Sequence, residues 1–592
     1  MRVIKTIFTL LFLTVIVLGA VFFVGFVNFK KEAVYSINKV VNNAELAADA
    51  LKNLETKQAK YSLQIIKDEI GLWLSRFNLL SGIFPPLREI PAAIEKYNNL
   101  AASSVIIAEK LDFLKNRGMQ LVLQQKGQQL ITVLKELQAE IDKVLEVASD
   151  EKLHAAKTFL SALVNWLDSD EPQHFLILFQ NSSEIRPGGG FLGSFAQLTL
   201  KRGGLNHLEV NDIYDLDGQL TLKVEPPKAL QSITTNWGAR DANWFLDFPT
   251  SARKVIKFLE ASRIFQDRGI RFSGIIAIND KVINEIIDII GPIELNDPPL
   301  TLTAENFLPE IQKEVETKAN KNILKQITPI IFERLNKLTG DSQKKELLNI
   351  FGKRFENKDI MVYFENPIME SFTKSLSVGG EWFELDSNFS GDYLAVVNAN
   401  VAGGKTDAFI KQKISLYSEI GRDGIINNTL SIQRENLGNQ REEKWYNTAN
   451  QNFIQIFTPK DTESVSLTGN DQKEIRPTID YRKAGYDIDP DLEARDDKNI
   501  VSAWFNVPAG ETKTLILSYR SLTSIDFDKE LIPYNFVYDK QSGVDGELEI
   551  ILKAPMGFVW KENAGEIFKY YSNQIPARVI LNLNLIKKGT KE

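Results

Sequence analysis

The chain has no cysteine and only three histidines in 592 residues. With no cysteine there is no disulfide, and a protein of this size can build its cores without one. His154, His174 and His207 share no ligand spacing, which argues against a zinc site or histidine-based catalysis. No basic run is longer than a pair such as Lys587 and Lys588, and a net charge of −7 is spread along the chain, so no nucleic-acid partner is expected. There is no long repeat, no low-complexity linker and only one long apolar run.

That run, Thr6 to Val27, is about the length needed to cross a ~30 Å hydrocarbon core. Arg2, Lys5 and the α-amino group precede it, which places the N-terminus in the cytoplasm, although Lys30 and Lys31 follow it. Bulky Phe22, Phe23, Phe26 and Phe29 stand where a cleaved signal peptide would carry small residues. The expectation is an uncleaved signal-anchor, a partnership with the membrane through one N-terminal helix, and a single-pass protein whose bulk is extracellular.

Length alone suggests three or four domains. Residues 1–30 form the cytoplasmic tip and anchor. Residues 31–170 are rich in Ala, Leu, Lys, Glu and Gln, and Leu130, Leu134, Leu137, Ile141 and Val144 recur at spacings of four and three. This predicts a helical stalk or bundle, divided at Gly82, Pro85, Pro86 and Pro91. After Glu171 and Pro172, short apolar runs alternate with helices. Strands are expected at Phe175–Phe179, Phe191–Leu200, Leu208–Asn211, Gly274–Ile278 and Ile293–Leu295, with helices after Pro249-Thr250-Ser251 and from Asp280. That succession predicts a layered α/β domain over 171–410 with right-handed crossovers and a helical insertion near 304–355. Ile360–Phe364 and Tyr393–Val397 are candidates to return to its sheet. From 411 to 592 the alternating runs predict a β-sandwich.

Chemistry concentrates in four pieces of the α/β domain: FLILFQNSSEIRPGGGFLGS, NDIYDLDGQL, RDANWFLDFP and NANVAGGKTD. Two readings stand at the first. Gly188, Gly189 and Gly190 let the backbone approach a ligand closely while Arg186 offers a planar fork to phosphate or carboxylate. Alternatively, the loop is a tight glycine turn with Arg186 salt-bridged to Glu184. Asp212, Asp215 and Asp217 have spacing suited to presenting carboxylates to one Mg²⁺, or else form a solvated acidic turn. Arg240 and Asp241, adjacent in an extended segment, should face opposite ways. Trp237 and Trp244 flank them as core residues or as a platform for Arg240. Lys405 follows two glycines without P-loop spacing and is read as an anion contact.

At these segments the chain resembles a membrane-anchored bacterial family known only as domain of unknown function 4012. The resemblance is carried by FLILFQNSSEIRPGGGFLGSFAQLTL, VNDIYDLDGQL, RDANWFLDFPTSA, GIIAINDKVINEIIDIIGPIEL and VVNANVAGGKTDAFI. A more distant similarity is to the LytR-CpsA-Psr phosphotransferases, in the order of strand, arginine–aspartate loop, helix, apolar strand, helix and a final strand, here Phe258–Leu295. It implies a multidomain α+β protein in which a transmembrane helix, a helical stalk, a LytR-CpsA-Psr-like α/β domain and a C-terminal β-sandwich follow one another. It also implies catalytic roles for Arg186, Arg240 and Asp241, to which the reading of the residues themselves adds substrate binding by Gly188, Gly189, Gly190 and Lys405 and a Mg²⁺ on Asp212, Asp215 and Asp217. The chain departs from those enzymes at Lys318–Gln326, KANKNILKQ, where their later arginine element has no counterpart.

The functional expectation is therefore an envelope protein that binds a phosphate-linked glycopolymer or polyprenyl carrier, and as an enzyme transfers it. The rival is a non-enzymatic surface scaffold or adhesion protein whose α/β domain is structural. Convergence of the arginines and aspartates on one pocket separates the two.

Overall fold

The computed structural model describes residues 30–589 apart from 54, 84, 319–322, 387, 493–496 and 523–524. Five helices come first: α1 (Lys30–Lys52), α2 (Thr56–Ile83), α3 (Ile90–Leu123), α4 (Gly127–Val147) and α5 (Glu151–Leu167). Leu130, Leu134, Leu137, Ile141 and Val144 of α4 are all buried against Leu100, Val105, Leu153 and Leu160 of α3 and α5, as an apolar stripe requires. Pro91 sits in the first turn of α3, where a missing N–H costs nothing, and Asp150 caps α5 by accepting from the Lys152 and Leu153 N–H groups. The bundle is docked rather than free-standing: Phe159 of α5 stacks on Phe372 at 4.1 Å, and Gly127 lies against the Gly203 backbone.

The fold-class expectation of a transmembrane helix is corrected here: among the described residues no helix is long and apolar enough to cross a membrane. The Thr6–Val27 run on which it rested lies outside the described residues.

The α/β domain is built on β1 (Gln173–Asn181), β2 (Phe191–Lys201), β3 (Gly204–Asp212), β4 (Phe272–Asn279) and, after the hairpin β5 (Ile293–Asn296) and β6 (Pro299–Leu302), β7 (Ile360–Phe364). Their spatial order is β3-β2-β1-β4-β7. Only β1 and β4 run parallel; β1–β2 and β2–β3 are antiparallel because their connections are too short for a crossover, and β7 returns antiparallel to β4 after the long insertion. The expected strand at Ile293–Leu295 pairs only with β6, outside the main sheet. Helix α6 (Phe248–Glu260) buries Ala252, Val255, Ile256 and Leu259 on the sheet. Its cap is Asp247, which accepts from the Thr250 N–H at 3.1 Å, while the Ser251 hydroxyl bonds Phe245 instead. Three helices, Phe307–Lys318, Ile323–Asn336 and Asp341–Glu356, fill the insertion before β7.

The β-sandwich begins at β8 (Gly391–Asn400), before residue 410. Tyr393–Val397 does not return to the α/β sheet. It lies at the centre of a six-stranded sheet between β11 (Asn452–Pro459) and β15 (Ile532–Lys540), with every residue of β8 buried. In order, this sheet holds β13 (Lys498–Trp504), β11, β8, β15, Arg578–Lys587 and Phe558–Trp560. The facing sheet also has six strands, among them β9 (Ile410–Ile420), β10 (Ile426–Asn436) and β14 (Thr512–Ser521), and Leu394, Val396, Ile454 and Ile456 pack against Ile414, Leu430 and Leu517 between them.

Candidate functional site

The segment after β1 returns sharply over Ile185–Gly190 and delivers Arg186 to the junction of the α/β domain with the end of β8. Arg186 is 2 % exposed. Its Nε and one Nη2 hydrogen donate to Asp241 Oδ1 at 3.3 and 3.2 Å, and Nη2 also donates to Glu184 Oε1 at 3.2 Å. Nη1 donates to the Ile185 carbonyl at 3.3 Å and to the Asn400 carbonyl. A guanidinium has five N–H donors, and these contacts use all five. The Phe191 ring closes one face at 5.0 Å.

Arg240 and Asp241 do serve each other, against the extended-segment expectation. They sit in a 3₁₀ turn, Ala239–Asp241, whose three-fold periodicity brings neighbours closer than a strand does, and Arg240 Nε donates to Asp241 Oδ2 at 3.2 Å. Arg240 also donates to Thr234 Oγ1 at 3.2 Å, and its platform is Tyr214, at 5.2 Å. Trp237 and Trp244 are core residues, the Trp237 indole donating to the Asp241 carbonyl at 3.0 Å. The Arg186 and Arg240 side chains therefore meet on one carboxylate rather than around an open pocket.

The glycine run is packed by protein. The Gly188 N–H donates to the Asn243 carbonyl at 3.0 Å, and a Cβ there would stand 1.9 Å from Asn243 Oδ1. Gly189 has φ +121° beside Ser542, a conformation that L side chains rarely adopt. All three glycines are buried, so the close approach they permit is to Asn243, Asn181 and Ser542. Lys405, 9 % exposed, pairs with Glu316 at 3.2 Å and Glu184 at 3.8 Å.

The three aspartates expected to share a cation separate into different roles. Asp212 caps the short helix Ile213–Asp217 by accepting from Tyr214 N–H at 2.9 Å, and Asp215 is exposed. Asp217 accepts from the Ala239 and Arg240 N–H groups at 2.6 and 3.3 Å. Among the described residues no group of three or more His, Cys, Asp or Glu could hold a metal ion. The helical turn explains the divergence, since carboxylates that alternate along a loop are rotated apart once the segment winds.

Burial pushes Asp217 up to about 6, with the N–H bonds and the Arg240 charge opposing it, and burial likewise raises Glu184 against the pull of Arg186 and Lys405. Arg186, Arg240 and Lys405 face Glu184, Asp217, Asp241 and Glu316, so the cations already have carboxylate partners. An incoming phosphate would have to displace them.

All four pieces singled out from the sequence do meet here, together with groups that the sequence did not reveal. The Gln541 amide donates to the Arg186 and Asn398 carbonyls at 2.8 Å each. Asn400 donates its backbone N–H to the Ile185 carbonyl at 3.0 Å and its side-chain amide to Asp407 Oδ2 at 2.7 Å, and Asp407 Oδ1 is held by buried Arg434 at 2.9 Å. The one available signal is the pair of asparagines closing a largely apolar strand, which burial forces to find partners. The result is a buried polar knot joining loop, turn and sandwich.

A family model described as Protein of unknown function (DUF4012) matches residues 170–315, so the resemblance read from the sequence holds over that stretch. It covers Arg186, Asp217, Arg240 and Asp241 and ends before Asn398–Asp407. No curated protein matches the chain.

Proposed function

We propose that the protein is a non-enzymatic scaffold in which the α/β domain is a structural partner of the β-sandwich. The observation that carries this reading is the full commitment of the five Arg186 donors to Asp241, Glu184, Ile185 and Asn400. A phosphotransferase of the LytR-CpsA-Psr kind needs arginine donors free to hold a pyrophosphate as charge develops, and a group able to hold its metal. Arg186 has every donor engaged, and Asp212, Asp215 and Asp217 serve different local purposes.

Mass spectrometry of lipids that co-purify with the full chain tests the reading. The expected result is no specific polyprenyl phosphate or pyrophosphate in either the unaltered protein or an Arg186→Ala, Arg240→Ala double variant. A carrier lipid retained by the former and lost from the latter, with both folded, would overturn the scaffold in favour of carrier binding.

A further inference from the structure

A cavity of about 1160 Å³ separates the α/β domain from the outer face of the sandwich. It exceeds the roughly 300–1,000 Å³ of a site for one drug-sized ligand and lies at a domain interface, where such sites concentrate. One wall is the Trp244–Asp247 segment that follows the Arg240 turn, and Trp382 stands beside it. The floor is β11, whose alternate residues Phe453, Gln455 and Phe457 face the cavity while Ile454 and Ile456 point into the sandwich core. Tyr481 and Arg482 contribute from the loop after β12 (Thr462–Thr468).

The plates are held in place from behind. Trp382 meets the edge of Phe457 at 6.1 Å, its ring carries the buried Lys498 ammonium at 4.2 Å, and its backbone N–H is fixed by Asp247 at 3.3 Å. Phe453 packs edge-on to Trp504 at 5.4 Å.

The polar groups divide by sign. Lining carboxylates are engaged: Asp247 with Thr250, Asp491 with Lys254, Glu225 with Gln231 and Asp480 with Lys483. The Trp244 and Trp382 indole N–H groups, the Gln455 amide and the Arg482 guanidinium have no hydrogen-bond or ion-pair partner among the described residues. The cavity thus offers unused donors and aromatic surface, while each of its lining carboxylates already has a donor. A complementary ligand has flat apolar rings, many acceptors and few donors. Polyproline segments have that composition, since each proline supplies a carbonyl and a ring but no N–H, and their extended left-handed helix leaves the carbonyls open. Aromatic-lined grooves are the known physical answer to such chains.

We propose that this cleft binds a proline-rich extended peptide, with Trp382 and Phe453 as plates for proline rings and the indole, amide and guanidinium groups as donors to its carbonyls. The site makes no use of Arg186, so it stands or falls apart from the scaffold reading.

Titration of the full chain with decaproline, read by tryptophan fluorescence, tests it, with a Gly-Ser peptide of the same length and cellohexaose as competing probes. The expected result is a saturable change with decaproline alone. Trp382→Phe keeps a plate but removes a donor, and is expected to weaken binding about fivefold, as loss of one hydrogen bond does. Arg482→Ala, at an exposed position, should weaken it similarly with an unaltered Tm. No saturable change in a folded protein, preference for the Gly-Ser peptide or the sugar, or wild-type affinity in both variants would overturn the proposal.

Discussion

The Arg186 corner and the aromatic cleft are separated by only a few residues of chain, from Asp241 to Trp244, yet they are opposites. At the corner every donor of a conspicuous arginine is spent on the protein itself, and three glycines are packed tight. In the cleft, ordinary-looking Gln455 and Arg482 keep their donors unspent among the described residues. Residues suited to ligand chemistry are equally suited to joining domains. The difference lies in saturation, which depends on what the fold brings alongside them.

The sharpest way to break that contrast is to remove a member of the corner. Arg186→Ala leaves buried Asp241 and half-buried Glu184 with lost partners, and should cost about 3–5 kcal/mol in equilibrium denaturation. A loss below about 1 kcal/mol would show that the corner is not structural.

The next effect is one of pH. The Asp217 carboxyl lies at about 6 in the folded protein against 3.8 ordinarily. The folded state therefore binds its proton more tightly, so the contribution to stability is present below pH 3.8 and lost as pH rises through about 6, by at most about 3 kcal/mol. Asp217→Asn should flatten the denaturation midpoint across that window relative to the unaltered chain. An unchanged slope would remove burial as the governing cause.

Smaller again is Gly188→Ala, whose Cβ must push back Asn243, with an expected loss of about 1–3 kcal/mol in thermal unfolding. A ligand loop would tolerate the methyl in the free protein and lose only binding. Smallest is Asp212→Ala, which removes a helix cap worth about 1 kcal/mol. Adding Mg²⁺ should leave Tm unchanged in both this variant and the unaltered chain, whereas a cation site would raise it in the latter alone.

What could be read in the sequence was local. The stripe Leu130 to Val144 specifies one buried helix face by spacing alone, and Phe175–Phe179 is bounded by turn signals on both sides. Tyr393–Val397 was legible as a buried strand, but its continuous apolar run fits the centre of either sheet, and only its partners β11 and β15 decide which. The spacing of Asp212, Asp215 and Asp217 suggested one cation because their helical turn was not recognised. The partners of Arg186 lie 55 and 214 positions away in Asp241 and Asn400, so its saturation was beyond any local pattern. Of the two readings of that loop, the glycine turn with an Arg186–Glu184 pair is the arrangement present.

The Gln541 bond to the Arg186 carbonyl spans 355 positions. At a synthesis rate of about 5–20 residues per second, roughly 20–70 s separate the emergence of those two residues from a ribosome. Throughout that interval the loop exists without the amide that closes it and, for most of it, without the Asn400 carbonyl as well. The last quarter of the chain thus completes a joint begun in the first third, and a product truncated before it would lack the amide that ties this loop to the sandwich.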